Sequence, residues 1–404
     1  MKRLQNIKYI NDDEQNGIDY DWKLIKKMYK DLNCPDDIFD PTTNPIETCR
    51  YIHNLSIRST GKTTGWVLIG MIMNALYGTT VGYVRQSEEE TAPKYARELM
   101  NVIVGYEDGR YIRQITDDRY NTVRYKDRRL FYALVDENGK EIERAPECFL
   151  ILLCIDMAEI YKSTLNVFRC DLFIVDEYVK QYYRDGAYIN FMQLVSTVKR
   201  RRKSMRIVLL ANTIRYTSQW YREFMIQNEL KKLNLGDHRT LVTPKGTRIY
   251  IELVEPKAKQ RILEDAELYF GFDNPELMAI VGTDVAWTMP MVPRISYQPD
   301  DRIITKRIRV AAEDELKMVL VFNKEVGLHV NVYPATTKRH DDEYLLTLNT
   351  PECRRDLFGL GAGDIFRKIW ELYKKNLFFY SDNETGAVLM DYFERAKDAI
   401  RKRM

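Results

Sequence analysis

A chain of 404 residues with 45% hydrophobic side chains is long enough for two domains, or for one large domain with an appendage, and it fills a real core, which excludes a disordered polymer. Its 62 Lys and Arg nearly balance 59 Asp and Glu, so the net charge of +3 excludes a global polycation and any nucleic-acid contact has to be local. Six scattered cysteines without a CxxC pair, no apolar leader stretch and no apolar run of about 18 residues point away from a disulfide framework, a zinc site, secretion and membrane spanning, and toward a reducing cytosol.

In chain order, residues 1–45 are polar, with acidic clusters at 12–14 and 36–40, and end in PTTNP; a short helical arm is expected. From 49 to about 254 the short apolar runs YIHNL, TTVGYVR, CFLILL, DLFIVDE and RIVLLAN alternate with helical segments at 62–77 and 88–104, which predicts a mainly parallel α/β sheet. Ser87 followed by Glu90 makes a capping box at the start of the second of those helices. The segment NTVRYKDRRLFYALVDENGKEIER reads as one hairpin turning at Asn138 and Gly139. Residues 255–295 have little periodicity. Beyond them KMVLVFNKEVGLHVNVYP predicts a β-hairpin, and 364–375 and 385–404 predict helices, the makings of a smaller α+β domain. The expected division is therefore an arm at 1–45, an α/β domain at 46–254, a linker at 255–295 and a second domain at 296–404.

The segment HNLSIRSTGKTTG lies between an apolar strand and a helix read as amphipathic, the setting of a phosphate loop running from Ser56 to Thr63, because a helix N-terminus offers free N–H groups and a positive dipole end. In that reading Lys62 neutralises the β- and γ-phosphates and Thr63 gives its hydroxyl to Mg²⁺. The backbone through Arg58, Ser59, Thr60, Gly61, Lys62, Thr63 and Thr64 wraps the phosphate oxygens. Ser56 stands where the usual pattern has its first glycine, and GKT alone also fits a plain turn opening a helix. DLFIVDE is a buried strand that delivers Asp176 and Glu177 to its C-terminal edge. Asp176 there holds Mg²⁺ through water, and Glu177 polarises the attacking water as general base. RIVLLANT ends another strand at Asn212, either a γ-phosphate sensor or a turn residue. The guanine-reading NKxD pattern is missing, since Asn323 and Lys324 are followed by Glu325 and Val326, so ATP is the expected nucleotide.

Two basic segments stand out. Six of the eight residues from 199 to 206 are Lys or Arg, fit for salt-sensitive phosphate contact through Arg201, Arg202 and Lys203, or else a solvated helix end. Lys126, Arg128 and Arg129, interleaved with Tyr125 and Phe131, make a second basic and aromatic surface, again open to a purely solvated reading.

With strand, GKT loop, YVRQ, LFIVDE, a basic helix end and LLANT in this order, the chain resembles the DNA-packaging ATPases of φ29-like phages, compact relatives of the large terminases, over roughly 45–230 and more loosely toward the C-terminus. The resemblance implies a P-loop ATPase of the ASCE class with a smaller, RNase H-like domain after it. It places a nucleotide-sensing arginine at Arg85 and a lysine acting from the neighbouring subunit at Lys162. A trans-acting arginine finger falls at Arg200, after the TV dipeptide of STVKRRRKSMR. An arginine supplied in trans neutralises charge on the transferring phosphoryl group and makes hydrolysis depend on a neighbour. The implied assembly is a homo-oligomeric ring, a pentamer by analogy, that moves double-stranded DNA through a portal into a procapsid. A packaging RNA joins it where one is used. It works in the host cytoplasm, transiently at the portal vertex, with no membrane partner.

Terminases also carry a two-metal nuclease, which needs three or four convergent carboxylates. Here the candidate central strand offers Asn323 and Lys324, with Glu325 at the turn, and Asp382 in FFYSDNETG is the one carboxylate that the resemblance, through the family's FDN before its last helix, places near such a centre. The expectation is a vestigial nuclease domain without cleavage activity. The alternatives are a terminase with a competent nuclease and a non-enzymatic nucleic-acid-binding protein with a degenerate loop.

Overall fold

The computed structural model describes residues 7–8, 10, 17–56, 60–164, 170–179, 186–199, 203–212, 218–230, 232–255, 292–295, 301–310, 315–336, 343–346, 363–390 and 392–393. The chain forms two compact units, the first carrying strands β1–β10 and the second β11–β15. Among the described residues no helix is long and apolar enough to cross a membrane.

The strands of the first unit are β1 (Tyr51–Ser56), β2 (Thr80–Arg85), β3 (Thr122–Lys126), β4 (Arg129–Val135), β5 (Glu141–Arg144), β6 (Leu150–Cys154), β7 (Cys170–Asp176), β8 (Arg206–Asn212), β9 (His238–Val242) and β10 (Arg248–Leu253). They form one sheet in the order β3-β4-β6-β2-β7-β8-β1-β10-β9, with β5 on β4. The ladders from β6 to β10 are parallel, and antiparallel pairs occur at the two ends. β7 and β8 are buried along almost their whole length, as parallel strands covered on both faces must be.

The helices are α1 (Trp22–Asp31), α2 (Lys62–Tyr77), α3 (Pro93–Gly105), α4 (Arg110–Thr116), α5 (Ala158–Thr164), α6 (Ala187–Lys199), α7 (Gln219–Glu223) and α8 (Gln227–Leu230). α2 keeps the predicted bounds but is not amphipathic: only Thr63, Asn74 and Ala75 escape burial. It lies against β2 and β7 and is covered in turn by α1 and α4, so it is apolar on all sides. The N-terminal segment thus folds onto the core; Ile25, Met28 and Tyr29 of α1 join Trp66 and Leu68 in one apolar cluster. A buried polar knot ties it down further. Asn44 and Asn54 both donate to Glu252 Oε2, at 2.8 and 2.9 Å, while Trp66 Nε1 donates to Asn54 Oδ1 at 2.8 Å.

Two local expectations need correction. α3 starts at Pro93 and not at 88, because Ala92, preceding the proline, is extended at ψ 159° and splits a 3₁₀ turn from the helix. The region 121–144 is a three-stranded meander with an additional turn at Asp127 and Arg128, whose φ values of 50° and 60° replace the usual glycine signal. The turn at Asn138 and Gly139 is present as the second one.

The second unit has β11 (Arg302–Val310), β12 (Leu316–Asn323), β13 (Gly327–Pro334), β14 (Tyr344–Leu346) and β15 (Phe378–Tyr380) in the order β14-β11-β12-β13-β15. β11, β12 and β13 form an antiparallel meander, and β14 and β15 add in parallel at the edges. Met318, Leu320, Val330 and Val332 build a core with α9 (Gly363–Lys374) and α10 (383–390). Asp382 accepts from Thr385 N at 2.7 Å and from Ser381 Oγ at 2.7 Å, so it caps α10. Burial raises its pKa and these hydrogen bonds outweigh burial, leaving it below the ordinary value.

Candidate functional site

Strand register assembles the site. Ser56 pairs with Asn212 and Asp176 with Leu210, while Val84 pairs with Val175, so the C-terminal ends of β1, β8, β7 and β2 lie side by side. A cleft of about 390 Å³ opens there, between Thr60–Thr63 on one side and Asp176, Glu177 and Asn212 on the other. This edge is where ligands of open α/β sheets bind.

Gly61 opens α2 in the left-handed region at φ 64°, and a Cβ there would lie 2.2 Å from the Asp37 carbonyl oxygen, so only glycine fits. Lys62 turns back toward the strand. Its Nζ hydrogen-bonds Ser56 Oγ and, at 3.1 Å, Thr60 Oγ1, and the two hydroxyls lie 2.7 Å apart. Ser56, the departure from the usual loop pattern, therefore has a use: its hydroxyl holds the lysine. Burial pushes the Lys62 ammonium down to about 8, against the opposing pull of Asp176 and Glu177.

Asp176 Oδ2 accepts from Thr63 Oγ1 at 3.2 Å, from Arg85 Nη1 at 3.1 Å and from Tyr83 OH. Its other oxygen accepts from Glu177 N at 3.1 Å. Arg85 Nη2 reaches Glu177 Oε2 at 2.6 Å and Glu90 Oε1 at 3.0 Å. Burial opposes the Arg85 charge, but the oxygens of Tyr83, Asp176, Glu177 and Glu90 outweigh burial and the guanidinium stays cationic. Burial and the Asp176 charge raise the Tyr83 phenol well above its ordinary value, so it is a permanent donor.

The residues fit both groups that the motif implies. A hydroxyl and a carboxylate oxygen 3.2 Å apart are the hard donors that Mg²⁺ takes alongside phosphate oxygens and waters. The first turn of α2 presents backbone N–H groups that have no helical partner, together with a buried cation, to an anion. Among the described residues no group of three or more His, Cys, Asp or Glu is arranged to hold a metal.

Of the residues picked out in the sequence, Thr60, Gly61, Lys62, Thr63, Asp176, Glu177 and Asn212 meet in this cleft, with Thr64 buried in α2 just behind it and Arg85 engaged with the two acids. Lys162 lies on α5, its side chain outside the described set, and Arg58, Ser59, Arg200, Arg201 and Arg202 fall outside the described residues. Lys203 is exposed, and its carbonyl accepts from Arg50 at 3.1 Å. Lys126 is exposed at the end of β3 and Arg129 begins β4, whereas Arg128 is ion-paired with Glu88 and its Nη1 lies 3.1 Å from Met157 Sδ. Tyr83, Gln86 and Tyr178 were not picked out in the sequence, and Glu90 was picked out only as a helix cap. Glu90 had a signal, since Ser87 N and Oγ do donate to it at 3.0 and 3.1 Å, but its second partner, Arg85, did not show in the capping pattern.

Fold and cleft define a mixed α/β protein with a polar, phosphate-compatible cleft at the C-terminal edge of a large sheet. No protein-family model matches the chain, and no curated protein does. Two solved structures share its fold over nearly the whole length: the Phi-28 gp11 DNA packaging motor, at 15% identity and TM-score 0.52 over 90% of this chain and 99% of that one, and the bacteriophage Phi-29 viral genome packaging motor assembly, at 14% and 0.53 over 91% and 99%. The chain has the fold of the phage DNA-packaging motors, the same family that its GKT, YVRQ and LFIVDE segments resemble.

Proposed function

We propose that the chain is the ATPase of a viral DNA-packaging motor, coupling Mg·ATP hydrolysis to movement of double-stranded DNA into a procapsid. The observation that carries this is the convergence of Lys62, Thr63, Asp176, Glu177 and Asn212 on one cleft, in a chain with the packaging-motor fold. Lys62 exchanges its bonds to Ser56 and Thr60 for β- and γ-phosphate oxygens. Thr63 and Asp176 would hold Mg²⁺, which neutralises phosphate charge when bound. Glu177 orients the attacking water and takes its proton. Asn212, beside Ser56 at the tip of β8, reads the γ-phosphate, and Arg85 senses the nucleotide through Asp176 and Glu177.

In this reading the site is completed in a ring, a pentamer, by Arg200 and Lys162 of the neighbouring subunit. Arg201, Arg202, Lys203 and the hairpin cations Lys126 and Arg129 meet DNA phosphates. The second unit is a vestigial RNase H-like domain that serves DNA, the portal or a packaging RNA; the use of Asp382 as a helix cap supports the absence of cleavage. The test is packaging itself. With procapsids and linear DNA, the protein should give ATP-dependent protection of the DNA from nuclease, and Lys62→Ala should give none; protection without ATP, or unchanged in Lys62→Ala, defeats the reading.

A further inference from the structure

Glu177 sits at φ 49°, a left-handed conformation that is strained for a residue with a side chain. Its carboxylate side chain is 47% exposed and therefore not aimed by burial. What fixes its direction is its ion pair with Arg85 together with the backbone, and the backbone is anchored at the next residue. Tyr178 is fully buried and held three ways: its N–H donates to Leu210 O at 3.3 Å, its carbonyl accepts from Gln86 Nε2 at 2.6 Å, and its hydroxyl shares a 2.9 Å hydrogen bond with His53 Nδ1. The ring is boxed by His53, Trp220 and Tyr221 at centroid separations of 5.6, 5.7 and 6.3 Å. His53 is neutral, because burial pushes it down to about 3.

Of these holds the Gln86 amide is the shortest, and it acts on the 178–179 peptide, one residue beyond Glu177, while the Leu210 carbonyl holds the 177–178 peptide through Tyr178 N. Gln86 is 4% exposed, it follows Arg85 in the chain, and its own carbonyl accepts from Asp156 N at 3.2 Å, so it is anchored on both sides. Two successive residues at the end of β2 thus work on Glu177. Arg85 binds its carboxylate, and Gln86 holds the backbone one residue beyond it.

We infer that Gln86, acting through the Tyr178 carbonyl, is a positioning residue that holds Glu177 in its strained conformation for attack on the γ-phosphate. The inference rests on Glu177 being the general base. Losing the amide frees the Tyr178 carbonyl, lets the chain through Tyr178 and Glu177 relax toward an unstrained conformation and swings the Glu177 carboxylate away from the water, while the phosphate loop on the far side of the cleft is untouched. Turnover should fall and nucleotide affinity should not.

Gln86→Met removes the donor at nearly constant volume. Phosphate-release kcat should drop about tenfold, with the dissociation constant for a fluorescent ATP analogue changed less than about twofold. In a Glu177→Gln background the same substitution should cost nothing more, because the group it positions is already disabled. A purely structural role would instead give additive losses, or a loss of affinity, and either result overturns the inference. Full turnover in Gln86→Met overturns it as well and leaves the base assignment standing, whereas full turnover in Glu177→Gln removes both. If Gln86→Met does not fold, Gln86→Leu, which likewise carries no donor, makes the same comparison.

Discussion

Lys62 is held near the middle of its titration range by burial, and the carboxylates of Asp176 and Glu177 only partly restore its charge. The ammonium is the form that binds phosphate, and phosphate raises its pKa. Above pH 8 binding must therefore take up a proton, and nucleotide affinity should fall by up to about tenfold per pH unit, while Lys62→Arg, cationic throughout, should show no such slope. Titration of a fluorescent nucleotide between pH 7 and about 9.5 measures this. Tyr83 gives a second expectation. Its phenol is one of three donors on Asp176 Oδ2, so Tyr83→Phe should loosen that carboxylate and raise the Mg²⁺ concentration needed for tight nucleotide binding about tenfold. Metal-free nucleotide binding should stay as it was. Lys62, Thr63, Asp176, Glu177 and Asn212 were legible because each is a polar residue closing an apolar run or opening a helix. Tyr83 and Gln86 were not, because alternation along β2 says which face a residue takes but not which strand lies beside it.

At the scale of elements, the N-terminal segment packs on the helix that opens at the cleft. A Cβ on Gly65 would lie 2.2 Å from the Phe39 carbonyl oxygen, and backbone has no rotamer with which to move aside. Gly65→Ala should therefore destabilise the first unit by roughly 2 kcal/mol, read by denaturant unfolding, although alanine is the better helix former. The bounds of α2 and the cores of β1, β7 and β8 were plain in the sequence, since glycine on either side and unbroken apolar runs mark them. That α2 is buried all round was there as well, in a run from Gly65 to Met73 that has no polar face, and the amphipathic reading overlooked it. The turn at Asp127 and Arg128 was hidden: it adopts a glycine-like backbone without glycine. β9 and β10 were also missed, as β9 is exposed along its length and has no apolar alternation to detect.

For the whole molecule, the resemblance carried by a few short motifs extends in the structure to nine-tenths of the chain, including a second unit whose sequence offered little beyond a hairpin and two helices. Distributed packing preserves a fold at 14–15% identity where motifs are sparse. The proposed ring, with catalytic residues split between neighbours, makes a further prediction. Arg200→Ala and Glu177→Gln proteins should each be inactive alone, yet an equal mixture should regain activity at roughly a quarter of its interfaces, where an intact Glu177 faces an intact Arg200. Phosphate release on mixing checks this, and no recovery would argue against a shared site. The most direct measurement is simpler: phosphate release and ATP binding at saturating Mg·ATP for wild type and Glu177→Gln. The cleft described here predicts that the variant binds ATP as tightly as wild type and hydrolyses it about 10²–10⁴-fold more slowly. Equal rates of hydrolysis would contradict it.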